Sequence, residues 1–187
     1  MKKEKLLVRD LITEAFNENK SVNYVIRQDA KRIERIHSLI NYSYAICKRY
    51  GDVIINEDQN AAALVSFPHH KKGFFFSVKQ DLQLITQSIG IKKLPSVLKR
   101  EAVIKNYHPK DPFCHLWYIG VAKIDQRKGV GTHLLQAIIQ KYDALGMPIY
   151  LETSMEENVA WYKKNGFQVY EELKDFGFVT YLLRRIP

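Results

Sequence analysis

The stretch 116-LWYIGVAKIDQRKGVGTHLL-135 places a glycine loop between an apolar run and an amphipathic pattern. The apolar run predicts a strand, and the spacing of Leu134, Leu135, Ile138 and Ile139 predicts one face of a helix. Glycine lets backbone N–H groups approach an anion closely. The first turn of a helix adds unpaired N–H groups and a positive dipole end. The loop 126-QRKGVG-131 is therefore predicted to bind an anion.

Around this loop, the chain alternates helical and extended patterns. Helical spacing covers 5–16, 30–49, 78–106 with breaks near Gly90 and Pro95, the segment from the loop to Leu145, and 156–165. Extended patterns cover 53–55, 61–67, 115–122, 149–151, 167–173 and 178–185. This order indicates an α/β or α+β layered fold.

The composition is that of one globular domain, predicted here to span 1–187. Hydrophobic residues make up 46% of the 187 residues and charged residues 26%, a balance that supports a full core. No uncharged apolar stretch is long enough for a transmembrane helix or a signal peptide, so we expect a cytoplasmic protein without a membrane partner. The two cysteines and six histidines form no metal-binding spacing, so we expect no metal.

The net charge of +9 is unevenly spread. Residues 1–110 contain 20 Lys+Arg and 11 Asp+Glu, whereas 111–187 contain nine of each. A basic surface favours polyanions, but the chain has no helix dense in arginine, no RNP-like aromatic motif and no zinc finger. A solvated basic surface is therefore the favoured interpretation, and no nucleic-acid partner is predicted.

The loop 126-QRKGVG-131 does not match two common glycine-rich motifs that bind phosphate groups. A Walker A loop requires Lys-Ser or Lys-Thr after its last glycine, and Gly131 is followed by Thr132 and His133. A dinucleotide fingerprint requires a third glycine where Leu134 stands.

Two motifs resemble the GNAT superfamily of N-acetyltransferases. The loop 126-QRKGVG-131 matches the family's [QR]-x-x-G-x-[GA] pyrophosphate loop, and 151-LETSMEENVAWYKKNGF-167 matches its later strand, turn and tyrosine-bearing helix. The resemblance implies a mixed central sheet of about six to seven strands flanked by helices, with a helical insertion before the central strand. It assigns 1–110 to the acceptor side and 111–187 to an acetyl-CoA-binding core.

The resemblance also implies which residues bind acetyl-CoA. The backbone from Arg127 to Thr132 would hold the pyrophosphate, with charge from Arg127 and Lys128. The matching positions in this loop are Gln126, Arg127, Lys128, Gly129, Val130, Gly131 and Thr132. The preceding strand would pair with the pantetheine arm through Ile119 and Val121, with a bulge at Gly120 and an oxyanion-binding N–H near Val121. Met155 occupies a family asparagine position, which makes Asn158 the substitute contact.

Tyr162 matches the family's general acid, and Glu152 is the candidate general base, directly or through water. The alternatives are a packing tyrosine and a structural carboxylate. His115 is a second candidate base, and Tyr118 a candidate acceptor-pocket residue by strand position. The aromatic run 73-GFFF-76 and the pair Phe176–Gly177 are further candidates for the acceptor side, whereas Trp161 and Phe167 are predicted to lie in the core.

The leading hypothesis is therefore acetyl transfer from acetyl-CoA to a primary amine of a small molecule. A protein N-terminus or lysine side chain is the alternative acceptor. A non-catalytic acyl-CoA-binding regulatory module is the alternative from another class. Edge pairing at the last hairpin would also allow a homodimer.

Overall fold

The computed structural model describes residues 2–70 and 81–187. The helices are α1 (Lys2–Phe16), α2 (Lys20–Val25), α3 (Arg32–Tyr50), α4 (Leu94–Tyr107), α5 (Val130–Asp143) and α6 (Glu156–Lys164). The strands are β1 (Gly51–Ile55), β2 (Ala61–Ser66), β3 (Cys114–Val121), β4 (Ile149–Thr153), β5 (Gln168–Leu173) and β6 (Thr180–Arg185). Residues 81–89 are also helical. In this described part, no helix combines the length and apolarity needed to cross a bilayer.

All six strands form one mixed sheet in the order β1-β2-β3-β4-β6-β5. Only the central β3–β4 pair is parallel, and the other neighbours are antiparallel. Antiparallel neighbours need only short turns, whereas a parallel pair needs a crossover. The glycine loop and α5 supply that crossover. The predicted mixed α/β architecture is confirmed.

The parallel pair is joined at one end only. Cys114 pairs with Ile149 and His115 with Tyr150, and beyond these two pairs β3 and β4 diverge. We call this opening the seam. It separates the sheet into β1–β3 on one side and β4–β6 on the other.

Side chains alternate between the two faces of the sheet. The α5 face packs against α5 and α6 in one core cluster, which includes Ala61, Leu116, Leu135, Ile138, Leu151, Tyr162 and Leu183. The α1 face packs against α1 and α3 in a second cluster, which includes Val8, Ile12, Ile36, Ile40, Leu64 and Tyr118. A third, smaller cluster joins α4 to the β5–β6 hairpin through Ile104, Leu173, Phe176 and Leu182.

The strand irregularity predicted at Gly120 lies instead at Trp117. The register of β3 against β2 shifts between Leu64, which pairs with Tyr118, and Val65, which pairs with Leu116. Gly120 has a different role, because a Cβ there would lie 2.9 Å from the Ala15 Cβ and 3.1 Å from the Ile12 Cδ1. The glycine therefore allows α1 to approach the strand closely.

The helical segment predicted at 78–106, before β3, also differs from the prediction in the structure. It breaks at Gly90 as expected, with φ +79 there, but Pro95 lies in the first turn of α4 rather than at a break. A proline ring is compatible with a first turn, whose N–H groups have no partner within the helix. Helix α2 was not predicted, since its six residues are too few to establish a helical period.

Candidate functional site

The glycine loop enters α5 through two left-handed residues. Gly129 caps the helix at φ 85, and Arg127 has φ 63. Left-handed residues in a turn produce concave backbone surfaces whose N–H groups bind anions. A non-glycine residue in this region stores strain of order 1–3 kcal/mol, and such strain concentrates at binding sites. Nothing lies within 4 Å of a Cβ built on Gly129, so the space above the loop is open.

Hydrogen bonds and an ion pair of its side chains stabilise the loop. The Gln126 Nε2 donates to the Val121 carbonyl at 3.2 Å, and the Lys128 Nζ lies 3.0 Å from the Asp125 Oδ1. Asn60 donates its Nδ2 to the other oxygen of Asp125 at 3.0 Å. The pKa of Asp125 is lowered by Lys128 and then by Asn60. Of the two predicted cations, Lys128 is thus engaged with the loop.

The start of α5 contacts both β3 and α6. A Cβ on Gly131 would lie 3.2 Å from the Val121 Cγ2 and 3.8 Å from the Trp161 ring. Trp161 donates its indole N–H to the Thr132 hydroxyl at 3.0 Å. Trp161 packs at the edge of the α5-face cluster, so the predicted core residue also fixes the loop. Five predicted cofactor positions, Val121, Gln126, Val130, Gly131 and Thr132, are brought together here.

Ile119 and Val121 pack at the α5-face cluster, beside the seam. The opposite edge of β3 pairs with β2 through Val121 and Ala61. The seam therefore offers the strand edge at which an extended ligand could add hydrogen bonds.

Tyr162 is buried on α6 in the α5-face cluster, with 6% of its surface exposed. Its ring centroid lies 4.7 Å from that of Trp161 and 5.4 Å from that of Phe167. Burial raises the pKa of the Tyr162 phenol, because removing water disfavours the phenolate. Asn158 lies one helical turn earlier and is half-buried, and its N–H donates to the Met155 carbonyl at 3.1 Å.

Glu152 is held by two histidines. The His108 Nε2 lies 2.8 Å from the Glu152 Oε1, and the His115 Nε2 lies 2.7 Å from the Oε2. The side chains are 13–15% exposed. Burial opposes ionisation of the carboxyl, but His115 and His108 together outweigh it and hold the pKa of Glu152 well below its usual range. Glu152 is therefore a carboxylate, and a weak base.

The same three side chains could hold a metal ion. Their ligand atoms lie within 4.8 Å of one another. Among the described residues, these three form the cluster of histidine, cysteine and acidic side chains with a spacing suited to a metal ion. Two imidazoles and a carboxylate are donors that Zn²⁺ accepts. Two hydrogen bonds join Glu152 to both histidines, and we call these three side chains the triad.

Glu152 and Tyr162 lie on opposite faces of β4. Leu151, next to Glu152, belongs to the same α5-face cluster as Tyr162. The partner of Glu152, His115, stacks on Trp117 with ring centroids 6.0 Å apart, and Trp117 packs at the α1-face cluster. The Tyr162 ring and the triad therefore lie on opposite faces of the sheet.

Aromatic side chains surround the triad. The His108 ring is 5.1 Å from Phe113, which is 5.2 Å from Tyr150, which in turn is 5.6 Å from Tyr170. Tyr118, by contrast, is buried against Phe16 with ring centroids 5.0 Å apart. Burial raises the pKa of Tyr118. Its position is that of a core residue.

Phe176 lies in the hairpin turn and packs edge-on against Tyr24 of α2 at 5.9 Å. Helix α2 also reaches the end of β4, because the Ser21 N–H donates to the Ser154 hydroxyl at 3.3 Å. Helices α2 and α4 and the β5–β6 hairpin thus contact one another near the end of β4. The aromatic run 73–76 lies outside the described residues.

His108 is the site residue that sequence reasoning missed. It follows α4 directly and lies 44 residues before Glu152. Proline follows it, a context typical of a loop, and no local pattern predicts a contact across that separation.

Comparisons with known proteins agree with this geometry. The family model of the Acetyltransferase (GNAT) family matches residues 69–167. A solved structure from Corynebacterium glutamicum, described as histone acetyltransferase HPA2 and related acetyltransferase, is 19% identical, with a TM-score of 0.68, and the match covers 100% of this chain and 93% of that one.

Two further structures share the fold. The mosquito arylalkylamine N-acetyltransferase like 5b is 14% identical, with a TM-score of 0.58, covering 99% of this chain and 96% of that one. Naa20 of Chaetomium thermophilum, solved with a bisubstrate analogue, is 11% identical, with a TM-score of 0.51, covering 95% and 80%. The family model covers residues 69–167, which is more than half of the chain. This protein therefore belongs to the GNAT acetyltransferase family.

Proposed function

We propose that this protein transfers an acetyl group from acetyl-CoA to a primary amine of a small molecule, by direct attack within a ternary complex. The observation that carries the proposal is the arrangement around the seam. The glycine loop follows β3, a buried phenol lies on one face of the sheet, and a carboxylate with two imidazoles lies on the other.

The loop suits the pyrophosphate of acetyl-CoA. The left-handed turn at Arg127 and Gly129, the start of α5 and the open space above Gly129 are what a dianion requires. The diverging edge of β3 at Ile119 and Val121 suits the amides of an extended pantetheine arm. Bound acetyl-CoA supplies a thioester that an amine can attack.

The triad is proposed to take the proton from the amine. A free alkyl amine is mostly protonated at neutral pH, since its ordinary pKa is about 10. Glu152, with its lowered pKa, orients the imidazoles and favours the attraction of a cation into the site. His115 and His108, each hydrogen-bonded to Glu152, are the proposed proton acceptors, and Glu152 is the positioning residue.

Tyr162 is proposed to give a proton to the leaving sulfur. Its raised pKa keeps the phenol protonated at neutral pH, and its face of the seam is opposite the triad. Asn158, on the same side of α6, is the proposed additional contact to the cofactor.

A small acceptor is favoured over a protein chain because the acceptor side is enclosed. Arg100 of α4 donates to the Ser21 hydroxyl at 3.2 Å, and Ile104 packs with Phe176 and Leu182. These contacts join α4, α2 and the hairpin above the triad. An extended peptide would need an open groove at this place.

Isothermal titration with acetyl-CoA, followed by an assay of free CoA thiol with a panel of amines, tests the proposal. We expect micromolar-range binding by the wild type and its loss in Gly129→Glu, since the new carboxylate would occupy the pyrophosphate position. Gly146→Glu is the matched control, because Gly146 is also left-handed at φ 63 with nothing within 4 Å of its Cβ. It follows the opposite end of α5.

Both variants add one carboxylate at a left-handed glycine with open space around its Cβ position, and they lie at opposite ends of α5. Unimpaired binding in Gly129→Glu would contradict the assignment of the loop. Binding by the wild type with no turnover on any amine would favour the non-catalytic module.

A further inference from the structure

Arg100 is a buried cation on the acceptor side. It lies on α4 with 6% of its surface exposed. Its Nη2 donates to the Ser21 hydroxyl at 3.2 Å, and its guanidinium carbon lies 5.8 Å from the centroid of the Phe176 ring. It is therefore enclosed between α2, α4 and the hairpin turn.

The charge of Arg100 is poorly compensated. Its one ion-pair partner among the described residues is Glu101, which contacts Nη1 at 3.0 Å and has a side chain that is 58% exposed. The Nε atom is buried and has no hydrogen-bond partner in the described structure. An unpaired buried donor costs about 1–3 kcal/mol, more when it is charged. The Nε–Nη2 edge of the guanidinium thus lacks an acid.

Arg35 shows what completes such an edge in this same fold. It is 5% exposed, close to Arg100 in burial. The Arg35 Nε donates to the Asp29 Oδ1 at 2.8 Å, and its Nη2 donates to the Oδ2 at 2.5 Å. A carboxylate therefore occupies the Nε–Nη2 edge of Arg35 in the two-pronged geometry that guanidinium favours. The same edge of Arg100 has only the Ser21 hydroxyl.

Arg100 is also connected to the candidate active site. Ser21, its hydrogen-bond partner, donates its backbone N–H to the Ser154 hydroxyl at 3.3 Å. Ser154 is 4% exposed and lies in the bend directly after β4, two residues after Glu152. Ser21 thus links Arg100 to the end of the strand that carries Glu152.

We propose that the acceptor is a small amine that also carries a carboxylate, and that Arg100 binds this carboxylate through Nε and Nη2. The inference rests on the proposed acetyl transfer and names the substrate class for that same site. The Phe176 ring covers the guanidinium, so binding displaces the hairpin turn. The acetylated product would be an N-acetyl amino acid or a related amide, with the thiol of CoA released.

Matched acceptor pairs test this class. Glycine, β-alanine and phenylalanine are compared with glycinamide, β-alaninamide and phenylalaninamide in the free-thiol assay. We expect the wild type to favour at least one carboxylate over its amide by roughly 10- to 100-fold in kcat/KM, the range of a charged hydrogen bond. Arg100→Met should bring the ratio of kcat/KM for carboxylate and amide close to one, mainly by raising KM for the carboxylate.

Arg49→Met is the control, since the Arg49 guanidinium also lies over an aromatic ring, that of Tyr50 at 5.3 Å, at the end of α3 beside the edge strand β1. Arg100→Lys keeps the charge without the two-pronged edge, and we expect part of the preference to remain. Acetyl-CoA titration and a melting curve establish that each variant is folded.

The outcomes separate the two proposals. Acetyl-CoA binding with turnover that favours amides or unsubstituted amines would overturn the carboxylate assignment alone, as would an unchanged preference in a folded Arg100→Met. A preference for phosphoethanolamine over β-alanine would replace the carboxylate by a phosphate and overturn this assignment. No acetyl-CoA binding and no turnover would overturn the proposed function and this inference together.

Discussion

At the scale of single residues, Tyr162 keeps its proton because it is buried. We expect Tyr162→Phe to lower kcat on the best amine about 100-fold, the order expected for loss of a general acid. Acetyl-CoA affinity should stay near the wild-type value, since the ring and its contacts with Trp161 and Phe167 are retained. Steady-state kinetics beside titration measure both. A variant that loses only thermal stability would show that Tyr162 is a packing residue.

Glu152 has a pH signature in stability. Its folded pKa lies below the ordinary 4.5 because the two histidines outweigh burial. A lowered pKa stabilises the fold above the ordinary carboxyl value, and that contribution is lost as the pH falls from there toward the lowered value. We expect the difference in unfolding free energy between wild type and Glu152→Gln to be larger at about pH 6 than at about pH 3. Denaturant curves at both pH values measure it.

A difference that stays constant with pH would contradict the lowered pKa. His37→Gln is the control variant. It removes a histidine that pairs with an exposed acid, Asp10, at 3.9 Å, and both residues lie outside the triad.

Sequence reasoning reached the residues of the site that lie within motifs. Tyr162, Glu152 and the loop glycines belong to short stretches with fixed spacing. The triad was only partly predictable, because the contact of His108 with Glu152 depends on where α4 ends relative to β4. Arg100 shares this limit, since a helical arginine in a sequence is ordinarily a solvated one.

At the scale of elements, Gly120 determines how α1 lies on the sheet. A methyl group at this position would lie 2.9 Å from the Ala15 Cβ, too close for two carbon atoms. We expect Gly120→Ala to destabilise the fold by about 1–3 kcal/mol, the usual cost of overpacking. Adding Ala15→Gly should recover part of that loss, beyond the sum of the single changes. A double-mutant cycle of unfolding free energies measures this coupling.

Additive effects in that cycle would show that α1 shifts as a whole and that the Ala15 contact has no special weight. Ala45→Gly on α3 controls for the cost of glycine in a helix, which is about 1 kcal/mol.

Most strand and helix positions were predictable because their periods are local. Strand β2 was predicted at 61–67 and spans Ala61–Ser66, and α6 was predicted at about 156–165 and spans Glu156–Lys164. The position of the bulge in β3 was not predicted, since register depends on the partner strand as well as on β3 itself. The residue at the shift is Trp117, between the pairs of Leu64 and Val65, and no glycine marks it.

At the scale of the whole molecule, the mixed sheet was predictable in outline. The crossover through the glycine loop requires β3 and β4 to be parallel neighbours, and the final two strands read as a hairpin. The order of the strands in the sheet was not predicted, because periodicity does not determine which strands pair. The packing of α2 against α4 was not predictable, because it depends on tertiary contacts such as that of Arg100 with Ser21.

The seam has a mechanical consequence. Only two residue pairs of main chain join β3 to β4, whereas the α5-face cluster packs against strands from both halves of the sheet. The halves are therefore joined by the α5-face cluster on one face, and on the other face by the hydrogen bond between His115 and Glu152. A small rotation of one half about α5 would widen the seam only by stretching that hydrogen bond.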